Sequence, residues 1–212
     1  MNRDRGASNR GMPLPKIQPI IPVARKEPFD DPGWLFEFKY DGFRALLYIE
    51  QRSGRFLSRN DNHLRQFNRL ARELVAEFSV DDAVLHGEVI AADETGRPQF
   101  YELLRRARTA SYVAFDLPWL NGSDLRALPL SERRRRLQDI LPKESPVIAM
   151  ALSVEGRGQE LFELMRLHDL EGIVSKRLAD PYEPRTKWLK IKNPDYSQKE
   201  GRGDLLNRRR NS

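Results

Sequence analysis

The segment Trp34-Leu35-Phe36-Glu37-Phe38-Lys39-Tyr40-Asp41-Gly42-Phe43-Arg44 decides how the rest of the chain is read. From Trp34 to Tyr40 it alternates: Phe36, Phe38 and Tyr40 fall on one side, Glu37, Lys39 and Asp41 on the other, which is the period of a half-buried strand. The second face carries a carboxylate two residues from an amine. Charges on such a face are costly unless they are paired or used, and Gly42 lets the backbone turn closely where the strand ends. Taken alone, Lys39-Tyr40-Asp41-Gly42 also fits a surface lysine beside an Asp-Gly turn.

Outward from that strand, Ala45 to Gln51 and Arg55 to Arg59 flank Ser53-Gly54, which is expected to be a hairpin turn. Leu64, Phe67, Leu70, Leu74, Val75 and Phe78 recur at helical spacing behind Asp61 and Asn62, either of which is a candidate cap. Val84 to Ala91 and Ser111 to Leu117 read as buried strands, with an amphipathic stretch from Phe100 to Ala107 between them. Ser131 to Leu141 and Glu160 to His168 read as helices, the first with Arg133 to Arg136 mostly on its wet side. Gly172 to Lys176 and Trp188 to Lys192 read as strands separated by a loop containing Pro181 and Pro184. Strands and helices are interspersed without regular βαβ alternation, so an α+β fold with antiparallel sheets is expected.

Composition bounds the function. The chain has 212 residues, enough for one good core but hardly for two full domains. It has no cysteine, which excludes disulfides and thiolate metal sites and fits a cytoplasmic protein. No run approaches the roughly 18 apolar residues of a membrane span. The net charge of +6 sits at the ends: residues 176–212 carry eleven Lys/Arg against five Asp/Glu, and residues 1–26 carry six against one. Basic segments of this kind attract phosphate backbones, although solvated tails have the same composition. The expected organisation is a disordered tail over 1–12, one domain over 13–198 and a basic tail over 199–212.

Several polar groups recur at the ends of the other elements. Arg44 follows the Gly42 turn; Arg59-Asn60 ends the expected hairpin; Glu88 interrupts an apolar strand; Phe115-Asp116 and Glu171-Gly172 stand at strand ends; Lys190 and Lys192 share a face. At these positions the chain resembles the covalent nucleotidyltransferases, and specifically the ATP-dependent DNA ligases. The matching stretches are Phe38 to Arg44, Ser58-Arg59-Asn60, His86-Gly87-Glu88, Phe115-Asp116, Glu171 to Lys176 and Trp188 to Lys192, in family order. The resemblance runs from about Pro15 to Gln198 and looks nearest the ligase modules of bacterial end-joining ligases.

The resemblance implies an ATP-grasp-like nucleotidyltransferase fold, with two antiparallel sheets flanked by helices and the nucleotide pocket between them. It implies Lys39 as the nucleophile that takes AMP from ATP, Glu37 on the adenine amino group, Phe115 against the ring, and Arg44 on ribose and phosphate. Arg59 would meet the 5′-phosphate of a nick. Glu88 and Glu171 would approach ribose and a divalent metal, and Lys190 with Lys192 the α-phosphate. An amine attacks only when neutral, and a free lysine has a pKa of about 10.4, so such a site must favour the neutral amine through desolvation and neighbouring cations. Carboxylate ligands suit Mg²⁺ or Mn²⁺. The implied substrate is nicked or broken double-stranded DNA, with end-joining proteins or a separate subunit as partners. Two departures stand out: His86 occupies a position that is usually acidic in the family, and the roughly 20 residues after Lys192 are too few for an OB-fold domain. An RNA ligase or a capping-type enzyme would use the same chemistry, and a non-catalytic DNA-binding module would keep the fold without turnover.

Overall fold

The computed structural model describes residues 14–94 and 96–199, so the expected tails over 1–12 and 199–212 fall outside the described residues apart from Lys199. Eleven strands and four helices of the described residues run β1 (Val23–Ala24), β2 (Asp30–Phe38), β3 (Phe43–Glu50), β4 (Ser53–Ser58), α1 (Asn68–Glu77), β5 (Asp82–Ile90), α2 (Phe100–Arg105), β6 (Ser111–Leu120), β7 (Ser123–Asp124), α3 (Leu130–Ile140), β8 (Ile148–Met150), β9 (Ser153–Arg157), α4 (Gly158–Leu167), β10 (Gly172–Arg177) and β11 (Leu189–Lys192). They form two sheets, one ordered β1-β11-β10-β2-β9 and the other β4-β3-β5-β6-β7 with β8 also on β6. The pairs are antiparallel as expected except β1 with β11 and β6 with β8, which are parallel.

Three apolar clusters account for the layering. Leu47, Phe56, Leu70, Leu74 and Leu85 pack α1 on the outer face of the second sheet. Trp34, Phe36, Phe162, Met165, Ile173 and Ile191 pack α4 on the outer face of the first. Between the sheets lie Leu46, Tyr48, Val84, Val113, Phe115, Val174 and Trp188. Each fully buried large apolar side chain contributes about 1.5–3 kcal/mol. The strand β2 is buried on both faces, with Phe36 at 0% exposure toward α4 and Glu37 at 2% toward the other sheet.

Three local expectations are corrected. The hairpin turn is Gln51-Arg52, both at positive φ (49° and 60°), and Ser53-Gly54 already belongs to β4. Gly54 answers a different demand: a Cβ there would lie 2.7 Å from Ala71 O on α1. The first helix begins at Asn68 behind a 3-10 turn over Arg65–Phe67, and neither Asp61 nor Asn62 caps it. Finally, the arginine run of α3 is not on a wet face throughout: Arg133 and Arg134 are buried at 0% and 9% exposure.

Candidate active site

The chain passes from one sheet to the other between β2 and β3, and Lys39 sits on that crossing. Three hydrogen bonds fix the short loop. Lys39 N–H donates to Gly172 O of β10 at 2.8 Å, Leu152 N–H donates to the Tyr40 hydroxyl at 3.2 Å, and the Tyr196 hydroxyl donates to Asp41 Oδ2 at 2.8 Å. At Gly42 a Cβ would stand 2.1 Å from Val89 O, so the backbone approach to β5 requires glycine.

The loop opens into a narrow cleft lined by residues of both sheets, among them Glu37, Lys39, Val174, Lys176 and Trp188 from one side and Arg44, Glu88 and Phe115 from the other. At its mouth Lys39 Nζ lies 2.5 Å from Glu171 Oε2, and the other oxygen of that carboxylate is 3.7 Å from Lys192 Nζ. Lys190 is held below the ordinary lysine range by desolvation first, then by the positive charges of Lys192, Lys39 and Arg44. Cations therefore converge here. Burial pushes the Glu88 carboxyl up to about 7 against the pull of Arg44 and Lys39, and Arg44 Nε stands 3.6 Å from it.

The deep end of the cleft is built around Glu37. Lys176 Nζ is 2.5 Å from Glu37 Oε2, and Arg134 Nη1 donates to Glu37 Oε1. Arg134 also donates to Ser153 Oγ at 3.0 Å and to the carbonyls of Phe115 and Ala151 at 3.4 Å. Lys176, 1% exposed, places Nζ 4.2 Å from the Phe115 ring centroid and 4.1 Å from that of Trp188. Burial lowers its pKa to about 8, with Glu37 opposing the shift. A buried carboxylate thus has two cationic partners, the arrangement that offsets its desolvation.

Sequence reasoning assigned no role to Lys176 or Arg134. Leu130, Arg133, Arg134 and Leu137 form one stripe at helical spacing on α3, and all four are buried. That spacing was the available signal. Arg133 holds Asp116 through two bonds, Nε to Oδ1 at 2.7 Å and Nη2 to Oδ2 at 2.9 Å, which fixes the residue after Phe115. His86, at the position that is usually acidic in the family, is fully buried. It stacks on Trp188 at 5.4 Å and 23°, and its Nδ1 is 2.8 Å from the Tyr182 hydroxyl. Burial first, then Arg44 and Lys176, pushes its pKa well below the usual value, so the imidazole is neutral.

Of the residues singled out from sequence, Glu37, Lys39, Arg44, Glu88 and Phe115 line the cleft, and Glu171, Lys190 and Lys192 border Lys39. Arg59 stands exposed beyond the end of β4 and does not line it. Among the described residues no three His, Cys, Asp or Glu side chains converge on one point. Two carboxylates completed by phosphate oxygens and water is the donor set Mg²⁺ accepts, and Glu88 and Glu171 fit it.

Residues 23–192 match the family model described as the ATP dependent DNA ligase domain. The chain is 31% identical over 198 residues to the SPbeta prophage-derived DNA ligase-like protein LigB of Bacillus subtilis, covering 86% of this chain and 69% of that protein. It is 33% identical over 198 residues to the multifunctional non-homologous end joining protein LigD of Pseudomonas aeruginosa, covering 89% of this chain but 23% of that protein. Among solved structures, a mycobacterial DNA ligase D complexed with ATP and MES superposes with a TM-score of 0.69 at 25% identity, covering 84% of this chain and 60% of that one. The ligase domain of Mycobacterium tuberculosis LigD gives 0.67 at 26% identity, covering 83% and 60%. With the two-sheet architecture and the cleft around Lys39, these matches place the chain in the ATP-dependent DNA ligase family, as its nucleotidyltransferase domain.

Proposed function

We propose that residues 13–198 form an adenylating domain in which Lys39 takes AMP from ATP and passes it to a 5′-phosphate of nicked or broken DNA. The observation that carries this reading is the position of the Lys39 amine, 2.5 Å from Glu171 at the mouth of a cleft whose deep end holds the Glu37 and Lys176 pair beside Phe115. The Lys39 ammonium gives up its proton to solvent, and the freed lone pair attacks the α-phosphorus. The N–P bond forms as the α,β-bridging P–O bond breaks, and its electron pair departs with pyrophosphate. Arg44, Lys190 and Lys192 stabilise the charge on the phosphoryl oxygens, where positioning and electrostatics supply most of the rate.

Base selection follows from the deep end. Adenine presents an amino donor beside a ring acceptor, and guanine presents a carbonyl acceptor beside a ring N–H. Glu37 as acceptor with Lys176 as donor complements adenine in that orientation, with Phe115 packed on the ring. A divalent ion on Glu88 and Glu171, Mg²⁺ or Mn²⁺, would supply further charge neutralisation of the phosphates. Arg59, on the exposed surface beyond β4, is suited to a DNA phosphate rather than to the nucleotide. After transfer of AMP to the 5′-phosphate, attack by a 3′-hydroxyl would seal the strand, in a cytoplasmic setting and with end-joining proteins or a separate subunit as partners. The α-labelled nucleotide settles the first step. ATP should leave label on the denatured wild-type protein, GTP should leave much less, and Lys39→Ala should leave none. Equal labelling of Lys39→Ala by ATP would contradict the assignment.

A further inference from the structure

A second groove, of about 590 Å³, lies along β11 and the segment after β1 and is lined by Arg25, Lys26, Arg166, Lys190 and Lys192 with one carboxylate, Glu27, among them. The sheet register puts it in line with Lys39. Lys39 N–H bonds Gly172 O, Gly172 pairs with Lys192, and β11 pairs in parallel with β1, Ala24 opposite Lys190. Arg25 N–H then donates to Lys190 O at 3.0 Å. Lys26 follows in the bend after β1, two residues past Ala24. A single row therefore crosses the sheet from Lys39 through Gly172 to Lys192. Strands are about 4.8 Å apart, so the row spans about 10 Å from β2 to β11.

Displacement at the α-phosphorus is in line, so the leaving oxygen points away from the attacking amine. With Lys39 attacking from the β2 side, the row directs the β- and γ-phosphates outward over β11 and β1. We infer that the Arg25/Lys26 groove is the site that receives pyrophosphate, the leaving group of ATP, with Lys190 and Lys192 shared between it and the α-phosphate. The inference rests on the assignment of Lys39 as nucleophile.

The side chains are placed for it. Lys26 is exposed and makes no hydrogen bond or ion pair among the described residues. Arg25 is fixed, with Nε donating to Glu27 O at 2.9 Å and its guanidinium 4.3 Å over the Phe29 ring. Arg166 is already engaged by Glu163 at 3.3 Å and Asp195 at 3.8 Å, so it borders the groove rather than serving it. Lys190 has no ion-pair partner among the described residues, and Lys192, Lys39 and Arg44 add positive charge around it. A doubly linked phosphate anion is the ligand such a field draws.

The test uses the full chain and inorganic pyrophosphate with Mg²⁺ as the probe. Arg25→Ala/Lys26→Ala should weaken pyrophosphate binding about tenfold or more, as expected for loss of two charge-assisted phosphate contacts. It should slow pyrophosphate-driven reversal of the Lys39 adenylate to the same degree, while affinity for AMP, which lacks the leaving group, changes less than about twofold. Equal pyrophosphate binding by variant and wild type overturns the inference. So does an equal loss for AMP and pyrophosphate, which signals a general charge effect, and so does a loss confined to duplex DNA. If pyrophosphate binds as expected but no adenylate forms on Lys39 in the wild type, the anion site stands and the assignment of Lys39 fails.

Discussion

Replacing Arg134 with methionine removes one of the two cations that hold Glu37 at the deep end of the cleft. Glu37 is 2% exposed and Arg134 9%, so the pair is shielded from water, and Lys176 alone remains at 2.5 Å. Removing one partner of a buried pair costs about 3–5 kcal/mol, and the surviving lysine puts the expected cost at the low end, about 3 kcal/mol. For a domain of this size each kcal/mol moves the melting temperature by roughly 2–4 °C, so Arg134→Met should melt about 6–12 °C below wild type. Lost packing of the arginine stem would also destabilise, and a double-mutant cycle with Glu37→Gln separates the two. If the charge pairing is the cause, Arg134→Met should cost about 1.5–3 kcal/mol less in the Glu37→Gln background than in wild type. The assay is urea unfolding of the four proteins. Additive costs, or an Arg134→Met protein melting within about 2 °C of wild type, would refute the reasoning.

Three further outcomes follow from the same geometry. Arg133→Met or Asp116→Leu alone should each cost about 3–5 kcal/mol, whereas the double replacement should recover most of that, since an apolar pair of similar volume does not strand a buried charge; thermal unfolding of the three variants checks it. The Lys176 ammonium is lost above pH about 8, because burial lowers rather than raises its pKa. AMP affinity measured by calorimetry should therefore hold from pH 7 to about 8 and fall above it, and Lys176→Met should bind more weakly with no such break. Gln51→Asn/Arg52→Gly, which places residues tolerant of positive φ at 49° and 60°, should stabilise the hairpin by about 0.5–1 kcal/mol; a lower urea midpoint would contradict the turn assignment.

What could be read from the chain depended on which residues report their environment through pattern. The alternation around Glu37, the helical spacing of Leu70 and Leu74 and the order of the short polar motifs pointed to the sheets, α1 and most of the cleft. Arginine misled at α3. By side-chain type Arg133 and Arg134 belong to solvent, and only their place on the Leu130 and Leu137 stripe reveals that they enter the core as countercharges for Asp116 and Glu37. Glycine misled at the hairpin, because Gly54 serves the close approach of α1 and the turn itself is made by two non-glycine residues in a costly conformation. The short strands β1 and β7 to β9 carry too few residues to show a period, and their pairing depends on partners distant in sequence. Tyr196, which holds Asp41 from 155 residues away, lay in a loop with no pattern at all.

The most direct measurement of the central claim is peptide mass mapping of the freshly purified full chain after incubation with ATP and Mg²⁺. One adenylate should appear on the peptide containing Lys39, released by pyrophosphate and absent from Lys39→Ala. An adenylate on any other peptide, Lys176 included, or an unmodified Lys39 under both Mg²⁺ and Mn²⁺, would contradict it.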